Sequence, residues 1–129
     1  MSKYVDGFVM IIPKDKEEDY RKMAEEGRDT WMKYGALAYY ECKGSDLETI
    51  EMGGDKARTF PEMAGANANE NVWFSFIIYE SKEKRDEVQA KVNEEMGKKY
   101  AEVTDFIMPF DANRMAQGGF TVMVEGEKN

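Results

Sequence analysis

The sequence predicts an α+β fold, a four-stranded antiparallel sheet built as βαβ twice over, with helices on one face. Two observations carry this prediction. A strand-like apolar run followed by a capped helical stretch occurs twice, and Ile11-Ile12-Pro13-Lys14-Asp15-Lys16-Glu17 matches Ile77-Ile78-Tyr79-Glu80-Ser81-Lys82-Glu83 in spacing and in kind. The chain has 129 residues, 12% of them aromatic, which suits one domain spanning 1–129 with a substantial core.

Residues 4–12 are β-branched and aromatic enough for a first strand, which Pro13 ends. Asp15 is placed to cap a helix, with Glu18 at capping-box spacing. Tyr20, Met23, Gly27, Trp31 and Tyr34 recur at helical spacing, and Gly35 stops the helix. A second strand covers 36–43. Residues 44–70, with Gly44, Gly53, Gly54, Pro61 and Gly65, form a long inserted loop, and loops of this length are usually functional or mobile. The third strand covers 71–80, after which Ser81 caps a helix carrying Val88, Val92 and Met96. Residues 98–114 link that helix to a last strand at about 115–124. Two βαβ units in this order describe a ferredoxin-like βαββαβ sheet with strand order 4-1-3-2.

Helices cover one face of such a sheet, so each central strand should alternate apolar with polar. Neither does. In the third strand Val72, Phe74, Phe76 and Ile78 point one way and Trp73, Ser75, Ile77 and Tyr79 the other. In the first, Val5, Gly7, Val9 and Ile11 oppose Tyr4, Asp6, Phe8, Met10 and Ile12. A bare apolar face is larger than a soluble monomer tolerates, which predicts a homodimer stacked sheet on sheet. The competing expectation is that the inserted loop folds back across the sheet; its Gly and Ala content is poorly suited to covering four strands.

The composition excludes several chemistries. There is no histidine, so His-based nucleophile activation, His-rich zinc sites and His-ligated haem are unavailable within one chain. With one cysteine besides, no metal site and no cofactor are expected. The net charge is −8, and no Lys/Arg cluster escapes its acidic neighbours, which argues against nucleic acid. No apolar run reaches the ~20 residues of a membrane helix. The N-terminus lacks the apolar stretch of a signal peptide and the lone Cys42 forms no internal disulfide, so a cytoplasmic location is expected. Without a histidine to activate it, Cys42 reads as a buried, inert thiol.

Candidate ligand-binding residues follow from position. Asp6 interrupts an apolar strand, and reads either as a base with a raised pKa or as a paired acid that fixes register. Trp73, Ser75 and Tyr79 share the strand face assigned to a cavity or to the dimer interface, with Phe120 of the last strand added to the lining. Tyr20, Trp31 and Tyr34 form a helical stripe, read as core. In a 4-1-3-2 sheet the inserted loop and the Met108–Met115 block meet at one edge. Arg58, Asp111 and Arg114 then form either an anion clamp or a structural acid–arginine pair. No catalytic residue stands out.

Tyr4-Val-Asp-Gly-Phe8, Val72-Trp-Phe-Ser75 and Met108-Pro-Phe-Asp-Ala-Asn-Arg-Met115 resemble the motifs of a family of small bacterial proteins of unknown function. The resemblance covers nearly the whole chain, and the Met-Pro-Phe-Asp block is its most specific part. That family belongs with the dimeric α+β barrels, alongside antibiotic-biosynthesis monooxygenases and haem-degrading enzymes, and the resemblance implies the same dimeric barrel here. Where the family typically reads Asp-Gly-Lys-Arg-Met, this chain has Asp111-Ala-Asn-Arg-Met115. Two functions compete: binding or conversion of a small aromatic or acidic metabolite in a barrel cavity, and a non-enzymatic binding or structural homodimer with a packed core.

Overall fold

The computed structural model describes residues 2–49 and 51–128; position 50 of the inserted loop and the two terminal residues lie outside it. Four strands, β1 (Tyr4–Pro13), β2 (Ala38–Lys43), β5 (Glu70–Tyr79) and β6 (Ala116–Thr121), form an antiparallel sheet in the order β2-β5-β1-β6. Counted among these four alone, the order is 2-3-1-4, the 4-1-3-2 arrangement read from the other edge. Helices α1 (Glu17–Tyr34) and α3 (Lys82–Lys99) pack on one face. The inserted loop is not structureless. It carries a small hairpin, β3 (Glu51–Met52) and β4 (Asp55–Lys56), turning through Gly53 and Gly54, and a short helix, α2 (Phe60–Ala64).

The helix ends show which local signals act. Ser81 caps α3, its side chain accepting from the Lys84 amide at 3.1 Å. Gly35 closes α1 at φ +119°, its amide reaching the carbonyls of Trp31 and Met32. Asp15, in contrast, is not a cap. The Lys14 amide bonds the Asn69 carbonyl at 3.0 Å, holding the chain to the sheet edge, and residues 14–16 pass through a 3₁₀ turn. Helix α1 therefore starts at Glu17 without a side-chain cap, and Glu17, Glu18 and Asp19 set negative charge against its N-terminus instead. Strand β6 is shorter than the 115–124 expected, because Tyr4 pairs with Thr121 and the last bond, Val122 amide to Lys3 carbonyl, uses up the start of β1.

Strand alternation sorts the sheet's side chains. Towards the helices, Met10, Ile12 and Trp73 pack against Tyr20 and Ala24 of α1. Ile77 and Tyr79 pack with Val88 and Val92 of α3. Ile12, Tyr79, Val88 and Val92 are fully buried, and burial of an aliphatic side chain of this kind contributes roughly 1.5–3 kcal/mol.

The opposite face carries Val5, Val9, Ile11, Val72, Phe74, Phe76, Ile78, Tyr40 and Phe120, by register. Helix α2 touches β1 and β5 on this face, near the buried Ile11 and Val72. The rest stays open: Tyr40 is 53%, Phe74 44% and Phe120 61% exposed. Phe76 links Tyr40 and Phe74 into a row, with ring centroids 5.0 and 5.5 Å apart. Cys42 sits beside Phe74 on this face and is exposed, not buried as expected, because β2 is an edge strand and neither α1 nor α3 lies on this side.

Candidate functional site

On the helix-facing side of β2 stand Tyr39, Glu41 and Lys43, with Glu41 opposite Ser75 of β5. The Glu41 carboxylate gathers hydroxyls from three elements. Tyr20 of α1 and Ser75 donate to its Oε2 at 2.9 and 2.6 Å, and Tyr39 donates to Oε1 at 2.8 Å. Burial pushes the Tyr20 and Tyr39 phenols up, and the charge of Glu41 pushes the same way, so both remain protonated donors. Among the described residues no cation pairs with Glu41. Lys43 lies 3.7 Å from Glu17, Arg21 bonds Glu18 and Glu25, and Arg28 bonds Asp29.

Two adjoining cavities meet at these hydroxyls, sharing Tyr20, Met23, Trp31 and Tyr39 as walls. The smaller, about 220 Å³, lies against the sheet and is lined by Phe8, Glu41, Ser75, Phe110 and Met115 among others. The larger, about 600 Å³, opens between α1, the end of α3 and the linker, where Met96, Tyr100, Val103, Phe106 and Met108 close over it. Gly27 eases this arrangement: a Cβ there would stand 3.0 Å from the Tyr39 hydroxyl, tighter than ordinary contact, so a side chain at that position would press on the phenol. The start of the linker is fastened where Tyr100 and Lys99 both bond Glu26, at 2.6 and 2.5 Å. Trp73 and Phe110 meet Tyr20 edge-on at 5.1 and 5.5 Å, closing the opposite wall.

Asp6 belongs to a second cluster. It is buried and paired with Arg85 of α3, Nη1 to Oδ1 at 3.1 Å, and the guanidinium lies 4.9 Å from the centre of the Tyr4 ring. Burial raises the Asp6 pKa, against the pull of the Tyr79 hydroxyl and the Arg85 charge. Tyr79 in turn accepts from the Trp31 indole at 3.0 Å, tying α1 to the sheet beside the cavity.

The candidate residues read from the sequence fall into three places. Trp73, Ser75 and Tyr79 do share the face beneath the helices. There Trp73 donates to Glu17 at 2.7 Å and Ser75 to Glu41, so this face is core and cavity, covered by the helices and closed to a second copy. Phe120 does not join them. It pairs with Val5 on the opposite face, since β6 runs in register with β1. At the sheet edge the inserted loop and the Met108–Met115 block do meet, through Arg114. It holds Glu70 with both terminal nitrogens, at 2.6 and 3.0 Å, and donates to the Gly65 carbonyl at 2.8 Å. Its partner is thus Glu70 and not Asp111, which instead accepts from the Asn113 amide and caps a 3₁₀ turn. Arg58 is exposed and joins neither, because the chain turns away through β4 before α2 begins. Sequence reasoning missed Glu41, Glu17 and Arg85. A signal for Glu41 existed, an acid flanked on its own strand face by Tyr39 and Lys43, but its donors Tyr20 and Ser75 are 21 and 34 positions away.

Residues 3–112 match a family described as protein of unknown function, DUF1428. The uncharacterized protein YbaA of Escherichia coli K12 is 39% identical over 124 residues, covering 95% of this chain and 98% of its own. The YbaA protein of Shigella flexneri matches to the same extent. Among solved structures, one described as a dimeric ferredoxin-like protein from an uncultured marine organism superposes with a TM-score of 0.60. It covers 99% of this chain and 100% of its own at 15% identity, which shows the ferredoxin-like fold.

Proposed function

We propose, for a chain that belongs to the DUF1428 family, that it is a homodimer binding a small aromatic metabolite in the cavity beneath α1. The observation that carries this reading is the pair of adjoining aromatic-walled cavities, about 600 and 220 Å³, with the Glu41 carboxylate and its three hydroxyls at their meeting point. Small-molecule sites are commonly of this kind, an apolar hollow with a few convergent polar groups. That open volume favours this reading over the competing one, a structural homodimer with a packed core. Of the two ligand types expected from sequence, the aromatic one is favoured. Among the described residues Glu26 and Glu41 are the charged side chains lining either cavity, so an acidic ligand would meet like charge.

The homodimer reading rests on the open apolar face of Tyr40, Phe74, Phe76 and Phe120. A second copy of that face would cover it about a two-fold axis, and the solved ferredoxin-like relative is itself described as dimeric. The cavity reading is tested with indole as probe, by calorimetry and by thermal shift, on the wild-type chain and on Val103→Trp. Val103 is 43% exposed on the closing linker, so the larger side chain fills the mouth without entering the core. Binding by the wild type and its loss in the variant, at an unchanged melting temperature, is the expected result. Indole binding to neither refutes the reading.

A further inference from the structure

We infer that the ligand carries a cationic amine on its aromatic body, with Glu41 as the counter-ion; this deepens the cavity reading and rests on it. Glu41 is half-buried, and a carboxylate partly withdrawn from water beside an apolar cavity gains from a paired cation. Among the described residues none pairs with it: Arg21, Arg28 and Lys43, which line an outer groove that Glu41 also borders, lie against other acids, and neither cavity is lined by a Lys or an Arg. Glu26, the other acid of the lining, already has Lys99 and so does not compete for the cation.

The hydrogen-bond arithmetic points the same way. A carboxylate offers about four lone-pair sites. Two donors occupy Oε2 and one occupies Oε1, which leaves Oε1 room for one more. An ammonium N–H fills that place with a charge-assisted bond. The cavity beside it is walled by the rings of Trp31, Tyr39, Tyr20 and Phe8, an aromatic lining that suits an aromatic body and a cation together. The net charge of −8 favours the approach of a cation from solution.

The test compares four ligands of nearly one shape on the wild-type chain at pH 7: tryptamine, N-acetyltryptamine, indole and indole-3-acetate. Tryptamine is expected to bind at least about tenfold more tightly than the two neutral compounds, the scale of a charge-assisted bond with a desolvated cation–π contact. Indole-3-acetate is expected not to bind. Glu41→Gln keeps the shape of the side chain and should reduce tryptamine to the affinity of N-acetyltryptamine. If tryptamine binds no better than the neutral pair, or if Glu41→Gln keeps the preference, the inference fails while the cavity reading stands. If none of the four binds, both fail. The comparison of ligands on wild type decides the matter even if the variant does not fold.

Discussion

Asp6 is the residue whose surroundings make the sharpest demand. Its pKa is raised in the folded protein, so the native state keeps a proton that the unfolded chain releases at about pH 4. The sign follows from linkage. The stabilising contribution of the protonated form is present below the ordinary carboxylate pKa and is lost as the pH climbs through the raised one. The stability of wild type relative to Asp6→Asn should therefore fall as the pH rises from about 4 towards neutrality. Urea midpoints of the two proteins over that range check it, and a difference that rises with pH would contradict it. Arg85→Met leaves the buried acid without its cation and should cost roughly 3–5 kcal/mol near neutral pH, with a smaller loss at acidic pH where Asp6 takes up a proton. Asp6 is visible in the sequence as an acid in an apolar strand. Arg85 is not, because it sits 79 positions away on a different element and reaches Asp6 only once α3 has docked.

At the scale of elements, the helix boundaries separate signals that are chemically sufficient from those that the surroundings override. Ser81→Ala removes a cap that is in place and should cost about 1 kcal/mol. Gly35→Ala forces a side chain into the left-handed region, with a Cβ 2.8 Å from the flexible end of Lys84. It should cost roughly 1–2 kcal/mol. Asp15→Ala should change stability by less than about 0.5 kcal/mol, since the side chain caps nothing. Chemical denaturation of the three variants gives the ranking, and an Asp15→Ala loss equal to that of Ser81→Ala would overturn the assignment of α1's start. The two helix starts look alike as sequence. They part because the Lys14 amide bonds the Asn69 carbonyl and residues 14–16 turn as a 3₁₀ helix, so α1 begins only at Glu17, past Asp15.

For the whole molecule, the decisive distinction is between the two apolar faces of the sheet. Trp73 lies under α1 at 5% exposure, so Trp73→Glu should unfold the chain rather than split an assembly. Phe74, on the other face and 44% exposed, should tolerate a charge in the fold and not in the dimer. Sedimentation at micromolar concentration is expected to show wild type at about twice the 14.8 kDa chain mass and Phe74→Glu as a folded single chain. Wild type running as a single chain would remove the homodimer proposal.

The chain by itself specifies the two βαβ units, the sites of the Gly35 and Ser81 caps and the presence of apolar residues on both faces of the central strands. These are local properties, written in the spacing of neighbouring residues. Periodicity divides a strand into two faces and does not say which of them a helix will cover. That choice came with the packing of α1 and α3, which put Trp73, Ser75 and Tyr79 inside and left Phe74 and Phe120 outside. The same docking drew Tyr20, Tyr39 and Ser75 onto Glu41 from three elements. It also gave Arg114 to Glu70, 44 positions away, instead of the Asp111 nearby. Such pairings depend on where distant elements come to rest, so only the tertiary structure could decide them.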